Sequence, residues 1–193
     1  MSENAAIPRE LDELGIEELE SEFIRRKDAA ESFMDFVCYT KPDFQPSKHH
    51  YFFAEKLERV IAGDITRLIV TMPPRHGKSE MASRRLPAYF LGRFPQREII
   101  CATYNSDFAS EFGRNVREIV NAEEYINVFP SLEIKSTDRA ADRWAVTQGG
   151  GFRAAGVGGG LTGRGGHLII IDDPIKSREE ADSKLQRDRV WDW

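Results

Sequence analysis

The spacing of hydrophobic positions along this chain changes at about residue 63. Before that point apolar residues recur at helical spacing, in a weakly amphipathic pattern over residues 9–30, an apolar one over 29–39 and a third over 49–62 that Gly63 closes. Pro42 and Pro46 mark a loop between the second and third patterns. We therefore predict that residues 1–43 form an N-terminal helical arm.

After residue 63, short apolar runs typical of β-strands alternate with helical patterns. Pro87 should end or kink the first of these helices near Leu86, because proline cannot donate the helix hydrogen bond. Ser177 and Glu180 match a capping box that starts a last helix. This alternation predicts an α/β domain over residues 44–193. The predicted strands are residues 67–71, 98–103, 144–147 and 167–172, and the predicted helices between them are residues 77–92 and 107–121.

Composition excludes several classes of protein. The chain has 193 residues, of which 40% are hydrophobic and 31% charged, as in a soluble globular domain. Its apolar runs are far shorter than the roughly 20 residues of a membrane-spanning helix, and the acidic first 20 residues do not resemble a secretory signal. Cys38 and Cys101 form no metal or disulfide pattern. A net charge of −5 argues against a wholly basic, nucleic-acid-coating surface.

The segment from residue 67 to 80 has the layout of a phosphate-binding loop. An apolar run leads into a tight loop, and Gly77, Lys78 and Ser79 open a helix. In such loops backbone N–H groups surround the phosphates, the lysine reaches the β and γ phosphates, and the hydroxyl ligates Mg²⁺. The first glycine of the usual pattern is replaced by Met72, followed by two prolines that have no N–H to donate. Gly-Lys-Ser also occurs at ordinary helix starts, so the segment alone leaves both interpretations open.

A second element supports nucleotide binding. An apolar run from His167 ends in Asp172, Asp173 and Pro174, which is a Walker B pattern. Such a strand carries its first carboxylate to the edge of the sheet where ligands collect, so Asp172 can hold Mg²⁺ and Asp173 can orient the attacking water. An ordinary strand-ending turn is the alternative. The two elements together, in this order, favour nucleotide binding.

Glycines flank one further arginine ahead of this strand. Gly163 and Gly165 surround Arg164, which is placed to act as an arginine finger or to lie in a plain surface loop. Arg153, in the same glycine-dense stretch, is a weaker candidate for a polynucleotide contact.

On these motifs the sequence resembles the large terminase subunit of tailed bacteriophages, in its N-terminal ATPase domain. The resemblance covers about residues 44–193 and rests on Pro-Pro-Arg-His-Gly-Lys-Ser, Ala-Thr-Tyr-Asn-Ser, Gly-Gly-Gly-Leu-Thr-Gly-Arg-Gly and Asp-Asp-Pro-Ile-Lys. It implies a P-loop NTPase of the ASCE type with a mainly parallel sheet, which hydrolyses ATP with Mg²⁺ to move double-stranded DNA into a procapsid. The implied partners are the portal protein, a small terminase subunit and further copies in a ring, in the host bacterial cytoplasm.

The resemblance also assigns residues. Lys78 and Ser79 bind the phosphates and Mg²⁺, and Arg75 senses the γ-phosphate. Adenine is contacted by a segment upstream of the loop, for which Phe44, His49 and His50 are the candidates. The expected catalytic residues are Asp173, Arg75, Lys78 and Arg164, the metal ligands are Ser79 and Asp172, and the nucleotide contacts are Pro74, Arg75, His76, Gly77, Lys78, Ser79, Glu80, His49 and His50.

The resemblance stops short of a whole terminase. No coupling motif or nuclease domain follows the Walker B strand within these residues, so we expect no nuclease activity from them. Two alternatives stay open: a remnant that binds nucleotide or partner subunits with little turnover, and a helicase-type translocase fragment. The absence of an Asp-Glu-x-His box counts against the helicase.

Overall fold

The computed structural model of the chain describes residues 15–161 and 165–193, apart from the side chains of residues 138 and 139. Within this part no helix is both long and apolar enough to cross a membrane. The helices are α1 (Ile16–Glu31), α2 (Phe33–Thr40), α3 (Lys48–Ala62), a π-helix (Glu80–Arg85), α4 (Leu86–Arg93), α5 (Ser106–Asn121), α6 (Glu123–Val128), α7 (Arg178–Asp182) and α8 (Lys184–Asp192).

The helix ends follow local signals in the sequence. Gly63 ends α3 in the left-handed conformation, with φ +87°, as predicted. The helix after Lys78 passes from π to α geometry at Leu86, whose N–H donates to the carbonyl of Met81, so Pro87 lies at this junction and the helix continues beyond it. Ser177 caps α7 as predicted, but Ser183 caps a separate helix α8, so the predicted last helix is two short ones.

The strands form one mixed sheet. Its order is β2-β3-β4-β1-β5, with β1 parallel to both β4 and β5 and the other two pairs antiparallel. The α/β class is confirmed, but the expectation of a mainly parallel sheet is wrong, because half of its strand pairs are antiparallel. The strands are β1 (Glu98–Thr103), β2 (Ile134–Arg139), β3 (Arg143–Val146), β4 (Gly151–Gly156) and β5 (Leu168–Ile171).

The predicted strand at residues 67–71 is wrong. This segment has no regular secondary structure and pairs with no strand among the described residues. Val70 and Met72 pack against the core while Ile69 is 91% exposed. An apolar run becomes a strand only where a neighbouring backbone completes its hydrogen bonds, which no described strand does here.

An aromatic cluster on the helices forms much of the core. The ring of Phe36 in α2 lies 5.1 Å from that of Tyr89 in α4 and 5.9 Å from that of Tyr125 in α6. The hydroxyl of Tyr125 donates to the carbonyl of Ala88 at 2.9 Å, which satisfies its buried polar atom. Helix α2 therefore shares its core with α4 and α6. The boundary between residues 43 and 44 stays a prediction.

Candidate functional site

The loop ahead of the π-helix has a constrained backbone. Arg75 and Gly77 both have positive φ, at +62° and +84°. A Cβ at Gly77 would lie 2.7 Å from Nε2 of His50, so both the backbone and the available space require glycine there. The N–H of Met81 donates to the carbonyl of Gly77, which starts the helix. The preceding N–H groups of the helix's first turn have no acceptor within the helix and can bind an anion.

His50 supports this loop from α3. The N–H of Ser47 donates to Nδ1 of His50 at 3.0 Å, so Nε2 carries the proton and donates to the carbonyl of His76 at 3.1 Å. Nε2 of His49 lies 3.3 Å from the same carbonyl. Burial and the neighbouring imidazole of His49 lower the pKa of His50, and its bond to the His76 carbonyl opposes them only in part. The neutral ring therefore fixes the loop's backbone.

Asp172 is a buried carboxylate just past the end of β5. Its Oδ1 lies 2.9 Å from Nζ of Lys78, and its Oδ2 accepts a 2.7 Å hydrogen bond from the hydroxyl of Ser83. Burial raises the pKa of Asp172, but hydrogen bonds from Lys78, Ser83 and Ser79 and the charge of Lys78 outweigh it, so the net shift is downward. Asp172 stays ionised although it is only 5% exposed.

Asp173 contacts the same lysine from an exposed position. Its Oδ1 lies 2.5 Å from Nζ of Lys78, and its backbone has a positive φ of +45°. Burial lowers the pKa of Lys78, but the bonds to Asp173 and Asp172 outweigh this and raise it overall. The structure thus brings Lys78 and Ser79 together with Asp172 and Asp173, although Lys78 and Asp173 are 95 residues apart in sequence.

The other predicted site residues lie in different settings. Arg75 and Pro74 are exposed in the loop, and Nδ1 of His76 lies 2.8 Å from the carbonyl of Pro74. The carboxylate of Glu80 is bonded to Arg84 and Arg85 of its own helix.

The glycine-dense stretch contains two candidate arginines, Arg153 and Arg164. Arg164 lies outside the described residues. Arg153 lies in β4, where its guanidinium is 3.4 Å from the carboxylate of Glu98. It is therefore a strand residue with an acidic partner.

Ser83 was missed by sequence reasoning, although a signal for it exists. It lies four residues after Ser79 and is 1% exposed, and both hydroxyls reach Asp172. A second small hydroxyl one helical turn after the loop serine is that signal.

A mostly apolar cleft adjoins the loop. Its volume is about 510 Å³, and residues of α3 and of the segment 68–73 before the loop line it. Two of its lining residues contact each other: the ammonium of Lys56 lies 4.7 Å from the centre of the Phe52 ring. His49 is shared between the cleft and the loop. The lining residues are His49, Phe52, Phe53, Lys56, Leu68, Ile69, Val70, Thr71, Met72, Pro73 and His76.

The comparisons with known proteins identify the family. A family model described as terminase large subunit, T4likevirus-type, N-terminal, matches residues 69–193. The chain belongs to this family. The matched part of this terminase-family chain includes the loop, Lys78 and both aspartates. Comparison with curated proteins returned no match. Membership supports a role in terminase-driven DNA packaging.

Proposed function

We propose that this protein is the ATPase part of a viral DNA-packaging motor, with a P-loop NTPase fold of the ASCE type. The observation that carries the proposal is the contact of Lys78 with Asp172 and Asp173. A loop lysine at a helix start and a carboxylate pair at a strand end are the two parts that ATP hydrolysis requires next to each other. Family membership supports the same function.

The donor atoms at the site fit magnesium. Among the described residues no group of three or more acidic, histidine or cysteine side chains could hold a metal, but Mg²⁺ in nucleotide sites takes only one or two protein oxygens besides phosphates and water. Asp172 supplies a buried carboxylate and Ser79 a hydroxyl that reaches it. When bound, Mg²⁺ neutralises charge on the phosphate oxygens.

The chain's own residues then have distinct tasks. Lys78 exchanges its two carboxylate partners for the phosphates, and the N–H groups of the loop bind phosphate oxygens. Asp173 is released from Lys78 and orients the attacking water as its proton acceptor. Arg75, or Arg164 from a neighbouring subunit, neutralises the charge that develops on the γ-phosphate.

The apolar cleft is the site we propose for the adenine ring. It adjoins the loop, and Phe52 and His49 offer rings on which a base can stack. His50 instead lies beneath the loop, with its ring on Gly77 and 4.8 Å from the ring of Phe44. Of Phe44, His49 and His50, only His49 lines this cleft, so it is the better candidate of the three for a base contact.

The proposed partners follow from the motor function. They are double-stranded DNA, the portal of a procapsid, a small terminase subunit and further copies of the chain in a ring. We place the protein in the bacterial cytoplasm, where packaging takes place.

Phosphate release by the Asp173→Asn variant tests this function. The substitution removes the proton acceptor but keeps the side chain's size, so we expect normal ATP binding and a loss of hydrolysis of roughly 10²-fold or more. The Lys78→Ala variant should lose both ATP binding and hydrolysis. A wild type that binds ATP with Mg²⁺ yet releases no more phosphate than Lys78→Ala would contradict hydrolysis and leave a nucleotide-binding remnant.

A further inference from the structure

Thr103 occupies a central position beside the proposed nucleotide site. It is the last residue of β1, which lies between β4 and β5 in the sheet. The register pairs Ala102 with Ile171, so Thr103 and Asp172 are the next residues on the two parallel strands. The N–H of Asp172 donates to the carbonyl of Ala102 at 2.8 Å, which holds the two strand ends together.

The hydroxyl of Thr103 is buried without a partner. The residue is 0% exposed, and its Oγ1 makes no hydrogen bond with any part of the chain that the structure describes. Nearly all buried polar atoms in folded proteins are hydrogen-bonded, because a buried hydroxyl without a partner loses its bonds to water and gains none. Valine has almost the same shape and would avoid this cost.

The side chain of Thr103 lies on the face of the sheet that carries Asp172. Residues two apart on a strand share a face, so Thr103 shares its face with Cys101. Burial raises the pKa of the Cys101 thiol to about 12, and the negative charge of Asp172 adds to the effect. This face of β1 is therefore close enough to Asp172 to feel its charge.

The carboxylate of Asp172 already has donors on both oxygens. Oδ1 is bonded to Lys78 and Oδ2 to Ser83, and Ser79 adds a further hydrogen bond. Thr103 is thus a polar group beside this site whose hydroxyl none of these side chains uses.

We propose that the Thr103 hydroxyl is a ligand contact, which hydrogen-bonds an oxygen of the bound magnesium–nucleotide complex. That oxygen belongs either to a phosphate or to a water molecule on the metal. The inference rests on the proposed function, since it places this ligand at Asp172. It accounts for a hydroxyl at a buried position where, without ligand, it has no hydrogen-bond partner.

Two variants of the full chain separate this role from a structural one. Thr103→Val removes the hydroxyl and keeps the shape, so without ligand it should raise the midpoint of thermal unfolding, yet bind Mg·ATP about 2- to 10-fold more weakly. Thr103→Ser keeps the hydroxyl and loses a buried methyl group, so it should bind Mg·ATP within about twofold of the wild type and unfold at a lower temperature. Thr147→Val is the matched control, because Thr147 is exposed and its hydroxyl bonds to Gln148. It should change neither property.

Titration with ATP in the presence of EDTA distinguishes the two oxygens. If Thr103→Val weakens binding only when Mg²⁺ is present, the contact is to metal-bound water, and equal weakening with and without the metal assigns it to a phosphate. The inference is overturned if Thr103→Val binds Mg·ATP as the wild type does, or if it unfolds at a lower temperature. A wild type that binds no Mg·ATP instead overturns the proposed function itself, and the inference with it.

Discussion

Nζ of Lys78 lies 2.9 Å from Oδ1 of Asp172, which joins the helix after the loop to the end of β5. Asp172 is 5% exposed, so without Lys78 its charge is left buried with hydroxyl donors alone. This contact couples the position of the loop to the position of the strand end, so we expect its loss to lower the stability of the protein.

Stability measurements can detect this coupling without any nucleotide. Lys78→Ala should lower the free energy of unfolding by about 1–3 kcal/mol, because it leaves a buried charge without its cation. Adding Asp172→Asn to Lys78→Ala should recover part of that loss, because the charge is then gone. Urea unfolding of the two single variants and the double variant measures the interaction. Additive effects within about 0.5 kcal/mol would contradict it.

Gly77 can be tested against a glycine that shares its backbone conformation. Gly63 has φ +87°, close to the +84° of Gly77, but a Cβ there meets nothing within 4 Å. Both Gly→Ala variants carry the backbone penalty of about 1–2 kcal/mol, and only Gly77→Ala also displaces His50. We expect Gly77→Ala to be the less stable of the two and the only one to lose ATP affinity. Equal unfolding free energies and equal affinities would show that His50 does not support the loop.

The lowered pKa of His50 predicts loss of stability in mild acid. Above the unfolded value near 6.5 the neutral ring contributes fully, and this contribution is lost as the pH falls through the lower pKa of the folded state. His49 and His76 face the same ring, so the comparison needs a variant of His50 alone. His50→Gln keeps an N–H donor and should show a shallower loss of unfolding free energy between about pH 7 and 5. A slope equal to that of the wild type would refute this.

Arg75 is expected to act on turnover rather than on binding. It lies exposed in the loop in a left-handed conformation, next to the proposed phosphates. Arg75→Ala should lower kcat by roughly 10³- to 10⁵-fold and change ATP affinity little. Arg178→Ala is the matched control, because Arg178 is exposed on α7. Near-normal turnover in Arg75→Ala would remove the role assigned to Arg75.

The sequence predicted well those elements that carry their own boundary signals. Strand β1 was placed correctly at Glu98–Thr103, and Gly63 correctly ended α3. Strand β4 lies within the glycine-dense stretch and was not predicted, because glycine is depleted in strands. Those glycines reflect close packing instead: a Cβ at Gly151 would lie 2.7 Å from the carbonyl oxygen of Trp144, and one at Gly156 would lie 2.4 Å from the backbone of Asn105.

In the candidate site, too, residues in local motifs were predicted and a residue placed by strand pairing was not. Lys78, Ser79, Asp172 and Asp173 could be named because their motifs have a fixed order and spacing. Thr103 could not, since its place beside Asp172 depends on which strands are neighbours and in which register. Local patterns do not contain that information, which arises only when the sheet forms.

The most direct test of the account is equilibrium binding of Mg·ATP to the wild type and to Lys78→Ala. We predict saturable binding of one nucleotide per chain to the wild type, weakened at least about tenfold in Lys78→Ala because the phosphates lose their cation. Circular dichroism of the variant must first show that it is folded. Equal affinity of the two folded proteins, or no binding to either, would contradict a nucleotide site at Lys78.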